Sequence, residues 1–304
     1  MTTVLDLVGA ELDAPVPPAA TAFAHVLTQR FEAPAAVLFY GSILRTGDLD
    51  GVLDFYVLTH KPPRGARGVA SRLLWPDVGY YEIEHEGRTL RAKVAAMTLA
   101  QFSRAVTGAG ADTTIWTRFV QPSALLWSDS PATTQTVRQA IATASVTAAR
   151  FAAALGPAQG ASADYWTALF RQTYAAEFRV EKGGREQSIL AVDPARWDAL
   201  LATAWREAGL GDVSANGTAA PALDAREQRR VNAAWTRRRR LGKPLNIARL
   251  LKATFTFEGA ARYGAWKIER HTGVAVPLTP WRERHPILAA PGVLWRLRKA
   301  RRQS

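Results

Sequence analysis

The apolar positions of this chain fall into short continuous runs in its first third and into helical periods after that. Residues 36–40 (Ala-Val-Leu-Phe-Tyr) are apolar throughout, as a strand covered on both faces must be. Residues 52–58 (Val-Leu-Asp-Phe-Tyr-Val-Leu) form a second such run with one carboxylate, Asp54, inside it. Between them Gly41-Ser42 predicts a sharp turn into a short helix. Residues 19–31 place apolar side chains at helical spacing and predict a helix packed beside the first strand. Residues 79–95 read as a hairpin that turns at Glu86-Gly87. In its return strand Arg91 and Lys93 alternate onto one face.

Helical signals then dominate. Thr98-Leu-Ala-Gln-Phe starts a helix, and Trp116 to Pro122 precedes an apolar strand, Ala-Leu-Leu-Trp. Ser130-Pro131 opens a long Ala-rich helix that Gly156-Pro157 ends. Asp164 caps a helix whose Tyr165, Leu169, Phe170, Tyr174 and Phe178 share a core face, with Tyr174 and Glu177 three apart. Asp193-Pro194 caps another, running to about Ala208. Gly209 to Ala222 reads as a mobile linker. A helix with Trp235 leads to Arg237–Arg240, and residues 246–256 and 260–271 read as two more helices. These patterns predict an α/β domain over 1–130, a mainly helical domain over 131–256 and a basic segment over 257–304.

Composition narrows the classes. At 304 residues and 48% hydrophobic, the chain can bury a sizeable core in about two domains. It contains no Cys, so disulfides and Cys-based metal sites are excluded, and its five His are scattered. No apolar run approaches the roughly 20 residues that span a bilayer. The start of the chain carries acids and no basic n-region, so no signal or transit peptide is expected. The net charge of +13 is unevenly placed: residues 221–304 hold 20 Lys/Arg and 5 Asp/Glu, and residues 1–220 are slightly acidic. The last segment, Pro286 to Ser304, sets apolar and Trp residues before five basic ones, the pattern of an interfacial anchor.

The candidate chemistry sits in the first third. Gly41 lets a phosphate approach the backbone, and Ser42 adds a hydroxyl at a helix start. Asp54 in an apolar strand needs a metal ion or a hydrogen-bond partner. Strand, Gly-Ser turn and a strand with Asp is the layout of the nucleotidyltransferase fold. Many such enzymes carry a second carboxylate two residues later, where this chain has Tyr56. Another segment must then supply a further ligand, with Glu177, Asp48 and Asp50 as candidates. Lys93 is readable either as a solvated basic residue or as a phosphate contact.

Read together, the segments Phe39-Tyr40-Gly41-Ser42, Val52-Leu53-Asp54-Phe55, Lys93-Val-Ala, Trp116-Thr-Arg118-Phe-Val-Gln121-Pro122, Thr173-Tyr174-Ala-Ala-Glu177-Phe178-Arg179 and Lys252 to Gly259 resemble, in order, motifs of the mitochondrial translocator-maintenance family of CDP-diacylglycerol synthases. The chain departs from that family at Gln121, at Ala176 and Glu177, and after Ser42. The resemblance implies a nucleotidyltransferase domain, a winged-helix-like helical domain and a membrane-associating tail. It implies transfer of a cytidylyl group from CTP to phosphatidate at a membrane surface, with Mg²⁺ and release of pyrophosphate. Asp54, Lys93 and Glu177 would be catalytic, and Asp54 and Glu177 would hold the metal. Tyr40, Gly41, Ser42, Arg118, Tyr174, Arg179 and Lys252 would bind the nucleotide. The expected setting is cytoplasmic and peripheral on the inner face of an anionic membrane, without a stable nucleic-acid partner. Two readings from other classes stay open: a nucleotidyltransferase acting on RNA or a soluble acceptor, and a silent nucleotide- or lipid-binding protein.

Overall fold

A computed structural model describes residues 1–177, 185–214, 217–273 and 275–284. The chain opens with helix α1 (Val4–Leu12), which the sequence reading missed. Thr3 and Asp6 cap it reciprocally, Asp6 N donating to Thr3 Oγ1 at 3.1 Å and Thr3 N to Asp6 Oδ2 at 2.8 Å. Helix α2 (Pro18–Arg30) starts on a proline, which costs no hydrogen bond there. Strand β1 (Pro34–Tyr40), short helix α3 (Ser42–Thr46), β2 (Leu53–Thr59), α4 (Gly65–Leu73), β3 (Asp77–His85) and β4 (Arg88–Thr98) follow. Helices α5 (Leu99–Ala105) and α6 (Thr114–Phe119) then lead into β5 (Ser123–Ser128). Helix α4 was also missed, because Lys61-Pro62-Pro63 masks a short helix that begins just after it.

The five strands form one mixed sheet in the order β3-β4-β2-β1-β5. Only β2 and β4 run parallel, joined through α4 and the edge strand β3. Alternation divides the side chains between two faces. Phe39, Phe55, Val57 and Val94 point to one face, where α2 covers them and Phe23 stacks on Phe55 at 5.4 Å between ring centroids. Leu38, Tyr56, Leu58, Ala95 and Met97 point to the other and join the main core.

The second half is helical: α7 (Pro131–Leu155), α8 (Ser162–Ala176), α9 (Arg185–Leu190), α10 (Pro194–Glu207), α11 (Ala225–Thr256), α12 (Ala260–Thr272) and α13 (Pro280–Arg284). Two-residue strands β6 (Gly160–Ala161) and β7 (Thr218–Ala219) pair among them. Helix α7 is the central contact. Its Ala144, Ala148, Ala149 and Ala152 are fully buried, and such small side chains let neighbouring helices approach closely. One hydrophobic cluster runs through these helices, from Val4 and Leu38 to Trp205 and Trp235.

Two expectations are corrected. The predicted mobile linker is partly ordered: β7 lies in it, and Tyr165 Oη donates to Ala219 O at 2.7 Å. The predicted helix with Trp235 and the predicted helix over 246–256 are one helix of 32 residues, with Pro244 inside it, whereas the one over 260–271 is separate, as α12. Pro244 is exposed, so the carbonyl it leaves without its helical partner can meet water. The predicted tail, 286–304, lies outside the described residues. Among those described, no helix is long and apolar enough to cross a membrane.

Helix α11 crosses the end of α8 at backbone distance. A Cβ at Gly242 would come within 2.3 Å of Ala176 O. Gly242→Ala should therefore cost about 1–3 kcal/mol in urea-induced unfolding. Unchanged stability would show that the two helices do not meet there.

Candidate active site

The sheet's register builds the site. Directly paired residues on neighbouring strands present their side chains on the same face. Ser123 pairs with Tyr40, Tyr40 with Asp54, Asp54 with Lys93, and Lys93 with Tyr80. One polar row therefore crosses all five strands near one end of the sheet. Two residues along, the same face carries Leu38, Tyr56 and Ala95, which are buried. The row is thus the rim where core gives way to solvent. Tyr40 and Asp54 are half-buried there, and Lys93 is exposed.

The Gly-Ser turn closes this rim. Gly41 has φ 96° and ψ −162°, a conformation open to glycine and strained for other residues. Its missing side chain matters again in space, since a Cβ would stand 2.7 Å from Asp54 Oδ2. The Asp54 carboxylate rests against the turn for that reason. Ser42 begins α3 beside it and is exposed.

Arg118, in the last turn of α6, lies over the row. Its guanidinium is 5.2 Å from the Tyr40 ring centroid and 5.8 Å from that of Tyr56. Nη1 donates to Tyr56 Oη at 3.1 Å. The position where a second strand carboxylate was sought thus carries a phenol that holds a cation. Burial pushes the Tyr40 and Tyr56 phenols well above their usual pKa, against the opposing pull of Arg118. Both are neutral near pH 7.

Glu177 joins from the helical half. It caps the C-terminus of α8, is buried, and accepts a hydrogen bond from Thr113 Oγ1 at 2.5 Å. Both it and Asp54 act electrostatically on Arg118. Tyr174, one turn earlier, is half-buried against the main core. Lys93 reaches solvent, yet enough protein surrounds its ammonium that desolvation, with repulsion from Arg118, pushes its pKa down against the attraction of Asp54.

Tyr40, Gly41, Asp54, Lys93, Arg118 and Glu177 are therefore brought into one neighbourhood, with Ser42 at its edge. Arg179 lies outside the described residues. Lys252 is not brought there. Its ammonium donates to Asp77 Oδ1 at 2.5 Å, to Pro76 O at 3.2 Å and to Leu74 O. Asp77 is three residues from Tyr80 along β3, so alternation turns it to the opposite face from Lys93. Lys252 is a buried strut between α11 and the start of β3.

The cation that α11 does send toward the row is Arg249, one helical turn before Lys252. It pairs with Asp112 at 2.6 Å, both side chains largely buried, and both act on Tyr56. Lys267 of α12 acts on Lys93. The sequence reading missed all three. Helical spacing from Lys252 was the one signal that could have found Arg249.

Three carboxylates, Asp54, Asp112 and Glu177, stand among four cations, Lys93, Arg118, Arg249 and Lys267. Asp50 is spent at the surface on Arg88, at 2.6 Å, and Asp48 Oδ1 accepts from Asp50 N. Among the described residues no group of three His, Asp or Glu is placed to hold a metal ion. The neighbourhood keeps a small positive balance, which suits an anion.

No protein-family model matches this chain, and no curated protein matches it either. Among solved structures it is similar to a nucleotidyltransferase-like protein from Exiguobacterium sibiricum, at 11% identity. That match covers 83% of this chain and 79% of the other, with a TM-score of 0.27.

The depressed pKa of Lys93 gives the site a pH signature. A bound polyanion favours the charged ammonium and raises that pKa again. Pyrophosphate affinity should fall as pH rises through the depressed value, below the ~10.4 of a free lysine. Binding in that window should take up protons, measurable by calorimetry in buffers of different ionisation heat. Lys93→Met should remove the uptake. Uptake that persists in Lys93→Met would place the titration on another group.

Proposed function

We propose that the chain is a nucleotidyltransferase whose triphosphate site is the rim of the sheet at Gly41, Asp54, Lys93 and Arg118. The observation that carries this reading is the in-register row of Tyr40, Asp54 and Lys93, closed by the Gly41-Ser42 turn and overlain by Arg118. Phosphoryl-group chemistry asks little covalent work of a protein. It asks for alignment and for charge placed where the leaving group develops its own. Lys93 and Arg118 supply that charge. Glu177 and Tyr56 hold Arg118 in place, and the Arg249–Asp112 ion pair braces α11 against the turn before α6.

The residues fit a Mg²⁺ ion that enters with the triphosphate. Asp54, half-buried at the open turn, would be its protein ligand, and the phosphates would supply further oxygens. Glu177 Oε1 is already engaged by Thr113, so we assign Glu177 first to Arg118 and only second to metal. Bound there, the ion would shield charge on the leaving pyrophosphate. Glycine at position 41 leaves Asp54 room to lie beside the phosphate-binding backbone.

The finer reading, CTP as donor and phosphatidate as acceptor at an anionic membrane, rests on the order of the motifs quoted above. So do the winged-helix-like second unit and the peripheral setting. An acceptor phosphate is already ionised near neutral pH. Such an acceptor asks no general base of the row.

Pyrophosphate release from each nucleoside triphosphate, with and without phosphatidate vesicles, tests both levels. CTP with phosphatidate should give the highest rate. Asp54→Asn should lower it by roughly a hundredfold or more while the melting temperature changes little. Near-normal turnover in Asp54→Asn would remove Asp54 from the mechanism. Turnover with a soluble or RNA acceptor instead would keep the nucleotidyltransferase and refute the lipid substrate.

A further inference from the structure

We propose that the groove between α7 and α11 binds an amphiphilic monoanion, of which a medium-chain carboxylate is the simplest example, with its charged end at Arg238. The groove encloses about 990 Å³ and shares no lining residue with the polar row. Its size is that of small-molecule sites. Ala142 and Val146 of α7, and Val231 and Ala234 of α11, make an apolar wall, and Phe151 and Arg238 meet at one part of it.

Arg238 is the unusual member. It is only 2% exposed. Its guanidinium stacks 4.5 Å from the Phe151 ring centroid and 5.5 Å from that of Trp235. Nη2 donates to Gly108 O, which also lines the groove. Nε and Nη1 are buried and meet no acceptor. Among the described residues no carboxylate forms an ion pair with it. Burial and the neighbouring Arg237 push its pKa down to about 10, against the attraction of Asp112, so the group is still charged at neutral pH. A buried charge with no carboxylate in contact is costly, and two stacked rings, one carbonyl and the more distant Asp112 compensate it only in part. A ligand anion in the groove would supply the missing partner.

The rim limits the ligand's charge. Glu207, Glu227, Arg150 and Arg230 also line the groove, and Arg150 pairs with Glu227 at 2.8 Å. These four charges balance, so the charge left for a ligand is that of Arg238, which a single negative charge matches better than the dianion of a phosphate monoester. The wall of alanine and valine then fits a hydrocarbon chain. The alternative is that Arg238 only pins α11 to the 107–109 turn, as Arg237 does by donating to Ala109 O at 3.2 Å. This inference does not depend on the function proposed for the sheet's rim.

Calorimetric titration of the full chain with decanoate, decanol and decyl phosphate, below their aggregation limits, separates these cases. Decanoate should bind saturably at one site, about tenfold or more tighter than decanol. Arg238→Gln should bring decanoate down to the decanol level. Val231→Trp, which fills the groove from a half-buried position and spares Arg238, should abolish binding while unfolding stays cooperative. Absent saturation, decanoate no tighter than decanol, or full binding in Val231→Trp would each overturn the site. Decyl phosphate binding as tightly as decanoate would overturn the monoanion assignment.

Discussion

The backbone ladder between β2 and β4 fixes the polar row of this protein. Asp54 and Lys93 stand side by side because two parallel strands pair in one register, and a slip of one residue would send either to the opposite face. The buried rows on both sides of the sheet forbid that slip. Phe55, Val57 and Val94 must face α2, and Tyr56, Leu58, Ala95 and Met97 must face the main helical core. Hydrophobic burial thus enforces the position of two charges it does not touch. Tyr40 and the Gly41 turn are placed by the same ladder from the β1 side.

The helical half completes the electrostatics of that rim. Arg118 would be free to swing if only its own short helix held it. Tyr56 Oη, two aromatic faces and the nearby Glu177 restrain it from three directions. A hydrogen bond to a charged group and cation–π contacts contribute on the order of 1–3 kcal/mol each in partly desolvated settings. The substitution of phenol for a second strand carboxylate is therefore not a simple loss. It puts a phenol that positions a cation on the strand.

Much of this was legible in the sequence. Continuous apolar runs gave β1 and β2 to within two residues, and Gly41 and Asp54 announced themselves as exceptions to their surroundings. The proximity of Arg118 and Glu177 to the strands was not legible from periodicity. It came through the motif order of a resemblance, and the structure places both residues beside the row. Lys252 shows the limit. Its motif reads like the others, but its side chain is captured by Asp77 on the far face. Asp112 and Arg249 went unread because a buried ion pair between positions 137 residues apart leaves no local pattern. Helix α11 was broken in two by Pro244, where local propensity lost to the packing of Trp235, Arg238, Gly242 and Lys252 on one helix face.

A pocket of about 190 Å³ on the sheet's other face, ringed by Arg30, Lys61, Arg64 and Arg67 near Asp77, offers anions a rival position. The most direct measurement is therefore a crystal structure of the protein with a non-hydrolysable nucleoside triphosphate. The triphosphate should lie along Gly41 and Ser42, with Lys93 and Arg118 in contact with its oxygens. A triphosphate seated in the pocket by Lys61, Arg64 and Arg67, with the rim at Asp54 empty, would contradict the assignment of the site.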